Sequence, residues 1–317
     1  MLLLKKHSKE AKTMKFIENR KKFFILSIVV ILIGLLTMCY NAVTGKGAFN
    51  QDVEFTGGSI VQINIERELT VDIKNELTQI VKDVTGDEVP RIAAAGNTGV
   101  IITIKRTDVD TRAKLFDEVK AKYNLKDEVP LKDADVSASI SDEIKLGALE
   151  AVVVGIILIL IYITYRFKDF RFGMSAIIAL AHDVLVMLAV YAVFRVPLNN
   201  SFIAAMLTIV GYSINDTIII FDRIRENKGK MHSDDDHIID ESINQTLGRS
   251  INTSLTTLIM VVLLYVLGVD AVKEFAFPLI IGISAGTYSS IFIASPLWYE
   301  LRKLKKNSNK KVKPKTT

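Results

Sequence analysis

Six apolar blocks, each close to the length that crosses a hydrocarbon core about 30 Å thick, constrain this chain more than any other feature. They run over residues 23–40, 146–165, 173–194, 201–221, 251–268 and 275–298. Lipid offers backbone polar groups no partners, so blocks of this length satisfy themselves as helices. A polar stretch, 41–145, separates the first two blocks, and the later connections are shorter. The expected fold is a polytopic α-helical membrane protein of six transmembrane helices, with a small α+β extracytoplasmic domain between helices 1 and 2. A cleaved signal peptide competes for 23–40. The run is longer than a typical signal h-region and no small-residue cleavage site follows it, so a retained anchor is the better reading.

Charge sets the expected topology. The chain carries a formal +5 with a pI near 9.0, and its lysines and arginines crowd 5–22 and 302–315. Those runs flank apolar blocks, where inside-positive topology and attraction to anionic lipid explain them without nucleic acid. The basic start 1–22, the loop 166–171, the loop 222–250 and the tail 299–317 fall on one side, read as cytoplasmic. The stretch 41–145 and the connections RVPLNN and GVDAVKEF fall on the other. That parity requires six spans. The single cysteine, Cys39, cannot form an internal disulfide.

Within 41–145, Phe55-Thr56-Gly57-Gly58 is a turn signal and 59–65 alternates as a strand does. Helices are expected over 70–81 and 108–123. Strands are expected within 91–95, over 100–104 after an Asn97-Thr98-Gly99 turn, and near 136–140. Helices on one face of a sheet follow from this order. The stretch has no histidine, no cysteine and no phosphate loop, and no nucleophile with its base and orienting partner, so it does not read as an enzyme. The run AKTMKFIENRKK, 11–22, reads as an amphipathic surface helix.

The segment GYSINDTIIIFDRIREN, 211–227, starts inside the fourth block and carries Asn215 and Asp216 to membrane depth. A carboxylate there is costly unless it faces a protein interior or a water-filled path, and such residues mark ion pathways. Tyr212 and Ser213 precede Asp216 by helical spacings and share its face, while Asn215 aligns with Gly211 and Thr208. His182 and Asp183 lie near the middle of block three. Block five opens on Arg249, followed by Asn252, Thr253 and Thr256. The expectation is an Asp216–Arg249 pair solvated by Asn252, Thr253 and Thr256, in which protonation of Asp216 repacks spans four and five, with Asp183 and His182 as further candidates. A salt bridge that only fixes register would use the same residues. Gly282, Gly286 and Ser290 form a small-residue ridge that permits close helix approach. His232, Asp234 to Asp236 and His237 fit a hydrophilic loop better than a metal site, and no cofactor is expected.

These features together resemble the SecF subunits of the SecD/SecF family, within the resistance-nodulation-division transporter superfamily. The resemblance rests on the basic start, Phe55-Thr56-Gly57-Gly58, His182-Asp183, the signature from Val210 to Asn227, and the stretch SINQTLGRSINT at 242–253. It implies a subunit of the bacterial cytoplasmic membrane that pairs with SecD and works with the SecYEG channel and SecA on translocating preproteins, driven by a proton gradient. In the family, the aspartate after GYSIN and the arginine before SINT are assigned to the proton path; here they are Asp216 and Arg249. Sodium is the alternative ion. A half-transporter of small molecules or lipids, and a structural assembly subunit without ion conduction, are the competing functions.

Overall fold

The computed structural model describes residues 14–87, 90–96, 98–136 and 138–311. Expectations for the first residues of the basic start, for Asn97 and for the last residues of the basic tail lie outside the described residues. Six helices are long and apolar enough to cross a membrane. The first, α1 (Phe16–Val43), begins earlier than its apolar block. Phe16 and Ile17 are buried in the core of the bundle, so much of the expected surface helix is the first turns of the span itself.

The segment after α1 forms the α+β domain. A two-residue strand β1 (Asn50–Gln51) leads into one turn of helix, α2 (Val53–Thr56), and then β2 (Gly58–Asn64). The glycine pair serves two separate needs. Gly57 adopts φ 74°, which L side chains disfavour. A Cβ on Gly58 would lie 2.4 Å from Val53 Cγ1 and 2.6 Å from the Ile104 carbonyl oxygen. Phe55, which opens the motif, is buried. The chain continues as α3 (Val71–Thr85), β3 (Arg91–Ala95), β4 (Gly99–Ile104), α4 (Val109–Tyr123) and β5 (Lys132–Val136).

The sheet order is β3-β4-β2-β5, with antiparallel neighbours throughout. Strand-helix-strand-strand-helix-strand with this order is a ferredoxin-like arrangement. Val61, Ile63 and Ile65 alternate into a core shared with Leu77, Val81, Leu115 and Val119 of the two helices. Thr70 and Asp108 cap α3 and α4 by accepting from the Ile73 and Thr111 amides. The last strand lies earlier than expected. Residues 132–136 pair with β2, and helix is already under way at Ala138.

The remaining spans are α5 (Ala138–Phe167), α6 (Phe170–Phe194), α7 (Asn200–Lys230), α8 (Asp235–Leu267) and α9 (Asp270–Ser289). The last runs through a π-helical turn (Ser290–Ala294) into α10 (Ser295–Lys311). Within the connection 222–250, α7 continues to Lys230, and a surface helix read from sequence over 231–247 on the apolar positions Ile238, Ile239, Ile243 and Leu247 is the start of α8, which runs unbroken from Asp235 to Leu267. Pro278 and Pro296, which from sequence alone read as an interruption and as the end of the sixth span, do neither. Proline lacks the donor for a regular turn and crowds the carbonyl four residues back; the wider turn directly before Pro296 relieves that conflict.

Domain and bundle are tied at one end. β1 pairs in parallel with β6 (Pro197–Leu198), between α6 and α7. Arg91 bridges Asp52 of the domain and Glu274 of α9. The Ala94 amide donates to Asp270 Oδ2 at 2.9 Å, and the Asn200 amide to Glu54 Oε2 at 2.8 Å.

Candidate ion-coupling site

Helix α6 runs through the middle of the bundle, and its inner face carries Ala176, Ala179, Leu180, Asp183 and Met187, all buried. Asp183 is 1% exposed. Its Oδ1 lies 3.0 Å from His182 Nδ1, and its Oδ2 accepts from Ser213 Oγ of α7 at 2.7 Å and Ser289 Oγ of α9 at 2.9 Å. The far ring nitrogen, His182 Nε2, meets Ser27 Oγ of α1 at 3.0 Å, and the imidazole stacks near Tyr288. One carboxylate therefore joins four helices through polar contacts. A buried polar network of this kind is strong only when every member is satisfied, as both Asp183 oxygens are.

Asp216 lies on α7 one turn from Ser213 and is 2% exposed. Its situation is the opposite. Oδ2 accepts from Ser254 Oγ of α8 at 3.4 Å, and Ser254 Oγ accepts in turn from Thr287 Oγ1 of α9 at 2.6 Å. Oδ1 is buried and has no hydrogen-bond partner among the described residues. An unsatisfied oxygen on a buried carboxylate is costly as an anion and far less so once protonated or ion-bound. The two acids thus differ in kind: Asp183 is held, Asp216 is half-free.

The expected Asp216–Arg249 ion pair is not formed among the described residues. Arg249 is exposed and acts on Asp216 only through space. Asn252 is also exposed, and Thr253 Oγ1 turns back to the Arg249 carbonyl at 2.9 Å. The solvating role expected of those two falls to Ser254, one position on, because the inner face of α8 runs through Ser250, Ser254 and Val261. The stripe on α7 divides likewise. Ser213, Asp216 and Thr217 face inward, whereas Thr208, Gly211 and Asn215 lie on an exposed face. Tyr212 is half-buried and donates to Thr257 Oγ1 at 3.3 Å.

Gly282 and Gly286 of α9 lie against α7. A Cβ on Gly282 would sit 2.4 Å from Ile209 Cγ1, and one on Gly286 2.8 Å from Ser213 Cβ. These contacts let α9 close on α7 so that Ser289 and Ser213 reach the same oxygen. Gly211 has no atom within 4 Å of the equivalent point. At the end of α7 the signature charges pair locally: Asp222 with Arg166 at 3.0 Å and Arg225 at 3.4 Å, and Arg223 with Glu226 at 2.8 Å. Sequence reasoning missed Ser27, Ser254, Thr287 and Ser289, since serine and threonine carry little signal until the facing helix is known. Among the described residues no group of three or more histidine, cysteine or acidic side chains is placed to hold a metal.

Six spans, one ferredoxin-like domain between the first two, and buried acids at the junction of α6, α7, α8 and α9 define a polytopic membrane protein with an acidic interior. The family model for "Protein export membrane protein SecD/SecF, C-terminal" matches residues 117–304. The SecF subunit of Petrotoga mobilis is 35% identical over 93% of this chain and 98% of its own length. That of Sebaldella termitidis is 39% identical over 92% and 93%. The crystal structure of SecDF from Thermus thermophilus, a translocon-associated membrane protein, superposes with a TM-score of 0.75 at 32% identity. It is matched over 92% of this chain and 39% of its own, so this chain spans about two fifths of that protein. The SecDF of Bacillus subtilis is covered to the same 39%. The chain belongs to the SecD/SecF family of the resistance-nodulation-division superfamily. Both of these relatives are named as protein translocase subunits.

Proposed function

We propose that this chain couples movement of a proton down the membrane gradient, or of sodium, to late steps of protein export. It works as the SecF-type half of a complex with a SecD-type partner, beside the SecYEG channel and SecA, on a translocating preprotein. It lies in a bacterial cytoplasmic membrane with both termini cytoplasmic, where its basic ends meet anionic lipid. The observation that carries this reading is Asp216, buried with one carboxylate oxygen unpartnered. Beside it, Asn215, Arg249 and Asn252 are exposed on a face that lipid would penalise. A charged side chain at mid-bilayer costs about 2.5–3.5 kcal/mol on insertion scales, so a polar face of this kind calls for a protein cover. A second subunit seated there brings Arg249 and Asp216 under one roof, where loss or gain of a proton shifts the packing of α7 against α8. Asp183 and His182 hold α6, α7 and α9 together as that shift occurs.

The test is preprotein import into inverted vesicles holding the chain and its SecD-type partner, with and without an imposed proton gradient. Asp216→Asn is expected to abolish the gradient's benefit while the complex still assembles. An undiminished benefit in that variant removes Asp216 from the coupling path. Replacing the proton gradient by a sodium gradient separates the two ions.

A further inference from the structure

The bundle's other end, remote from the α+β domain, holds a second polar constellation that ion coupling does not use. It centres on Trp298, the chain's single tryptophan, which is 1% exposed and stacked on Phe172 at 4.5 Å. Two cations face its ring: Arg302 at 5.4 Å and Lys228 at 5.9 Å. Lys228 sits near the end of α7, and helical side chains lean toward the helix N-terminus, so its stem reaches back toward the membrane. Its charged neighbours are Arg302, Arg171, Asp235 and Asp169.

Charge counting shows a surplus. Asp169 is consumed by Arg171, which reaches both of its oxygens at 2.7 to 3.2 Å. Asp235 Oδ1 takes Arg302 Nη2 at 3.2 Å. Arg302 Nη1 is left buried without a hydrogen-bond partner, on a side chain that is still 24% exposed. The Lys228 ammonium has no hydrogen bond or ion pair among the described residues. Three cations face two carboxylates, and both open donors belong to groups aimed at one aromatic ring. The unmade bond is costly at the buried Arg302 Nη1, while Lys228 is an exposed, unneutralised cation beside it. A tetrahedral oxyanion supplies several acceptors to guanidinium and ammonium at once.

We propose that Lys228 and Arg302, over Trp298, form a binding site for a phosphate group. The apolar spans ending beside the site favour a phospholipid headgroup as its source, since basic pockets between helix ends take such groups. A free phosphate has the same chemistry and is separated by experiment. The site is distinct from Asp216 and Asp183.

Because Trp298 is the only tryptophan, its fluorescence reports occupancy directly. A ligand that draws Lys228 and Arg302 off the ring alters the emission. The full chain in a neutral detergent is titrated with phosphatidylglycerol, phosphatidylcholine and inorganic phosphate. A saturable change with phosphatidylglycerol but not phosphatidylcholine, about tenfold weaker in Lys228→Gln, is expected. The same change with inorganic phosphate, also weakened in Lys228→Gln, supports the site with a soluble source. Among the described residues Lys228 makes no hydrogen bond or ion pair, only its contact with the Trp298 ring, so this variant is expected to leave the bundle intact; Arg302→Gln checks the second donor. No change with either anion, an equal change with phosphatidylcholine, or undiminished binding in both variants overturns the proposal.

Discussion

Two buried aspartates one helix apart are treated very differently by their surroundings, and the difference predicts different failures. Asp183 receives two serine hydroxyls on a single oxygen. Removing either donor by Ser213→Ala or Ser289→Ala is expected to cost about 1 kcal/mol. That lies between the ~0.6 kcal/mol average inside membrane bundles and the about 1.5–3 kcal/mol for bonds to charged groups. Thermal unfolding of the purified protein measures it. Asp216 has little bonding to lose, so Asp216→Asn should leave that unfolding temperature nearly unchanged while removing the response to the gradient. Outside the membrane, burial and the bond to Glu76 push the Tyr123 hydroxyl up to about 12. Its folded pKa lies above the unfolded value of about 10, so the neutral phenol is what the fold favours. The stability it contributes is fully present below pH ~10 and is lost as pH rises toward 12. Tyr123→Phe should flatten that alkaline slope in a denaturation series read by circular dichroism.

At the scale of elements, the closest packing is where α9 meets α7. Gly282→Val is expected to cost about 1–3 kcal/mol by overpacking against Ile209, while Gly211→Ala, which meets nothing, is neutral. Unfolding temperatures of the two variants decide this. Much of the element order was legible because its causes are local. Six runs of apolar residues name six spans, and Thr70 and Asp108 announce the helices that they cap. The last strand of the domain was misplaced because Val136-Ser-Ala-Ser-Ile140 alternates like a strand, and only pairing with β2 selects 132–136 instead. The charges of 222–250 read as a loop holding a surface helix over 231–247; that this helix is continuous with the fifth span was not legible, because the polar run Asn244 to Arg249 hides the join. For the site, the acids were legible from their cost in lipid. Their partners were not, because Ser254 rather than Thr253 faces Asp216 only once α8 has a fixed rotation. The Asp216–Arg249 pair was expected from opposite charge, and the same rotation keeps the two apart.

For the molecule as a whole, the α+β domain is held to the bundle by a few polar contacts, with Arg91 between Asp52 and Glu274 at their centre. Arg91→Met should loosen the domain while leaving its sheet and core folded. Spin labels on α4 and at the start of α9 are expected to show a broadened distance distribution; an unchanged one would mean that the β1–β6 pairing alone fixes the orientation. Most of the surfaces of α1, α5 and α8 are apolar and exposed, as suits helices meeting lipid or another subunit. The unbroken course of α8 has a geometric consequence of its own. Its polar first half, 235–250, is about 24 Å long at about 1.5 Å per residue. It lies against the bundle, with Ile239 and Ile243 in the core beside Phe16 and Phe221 and Asp235 on Arg302, so helix packing closes this end of the molecule. The α+β domain at the other end would then tell, in even a blurred density map of a larger assembly, which way up this subunit stands.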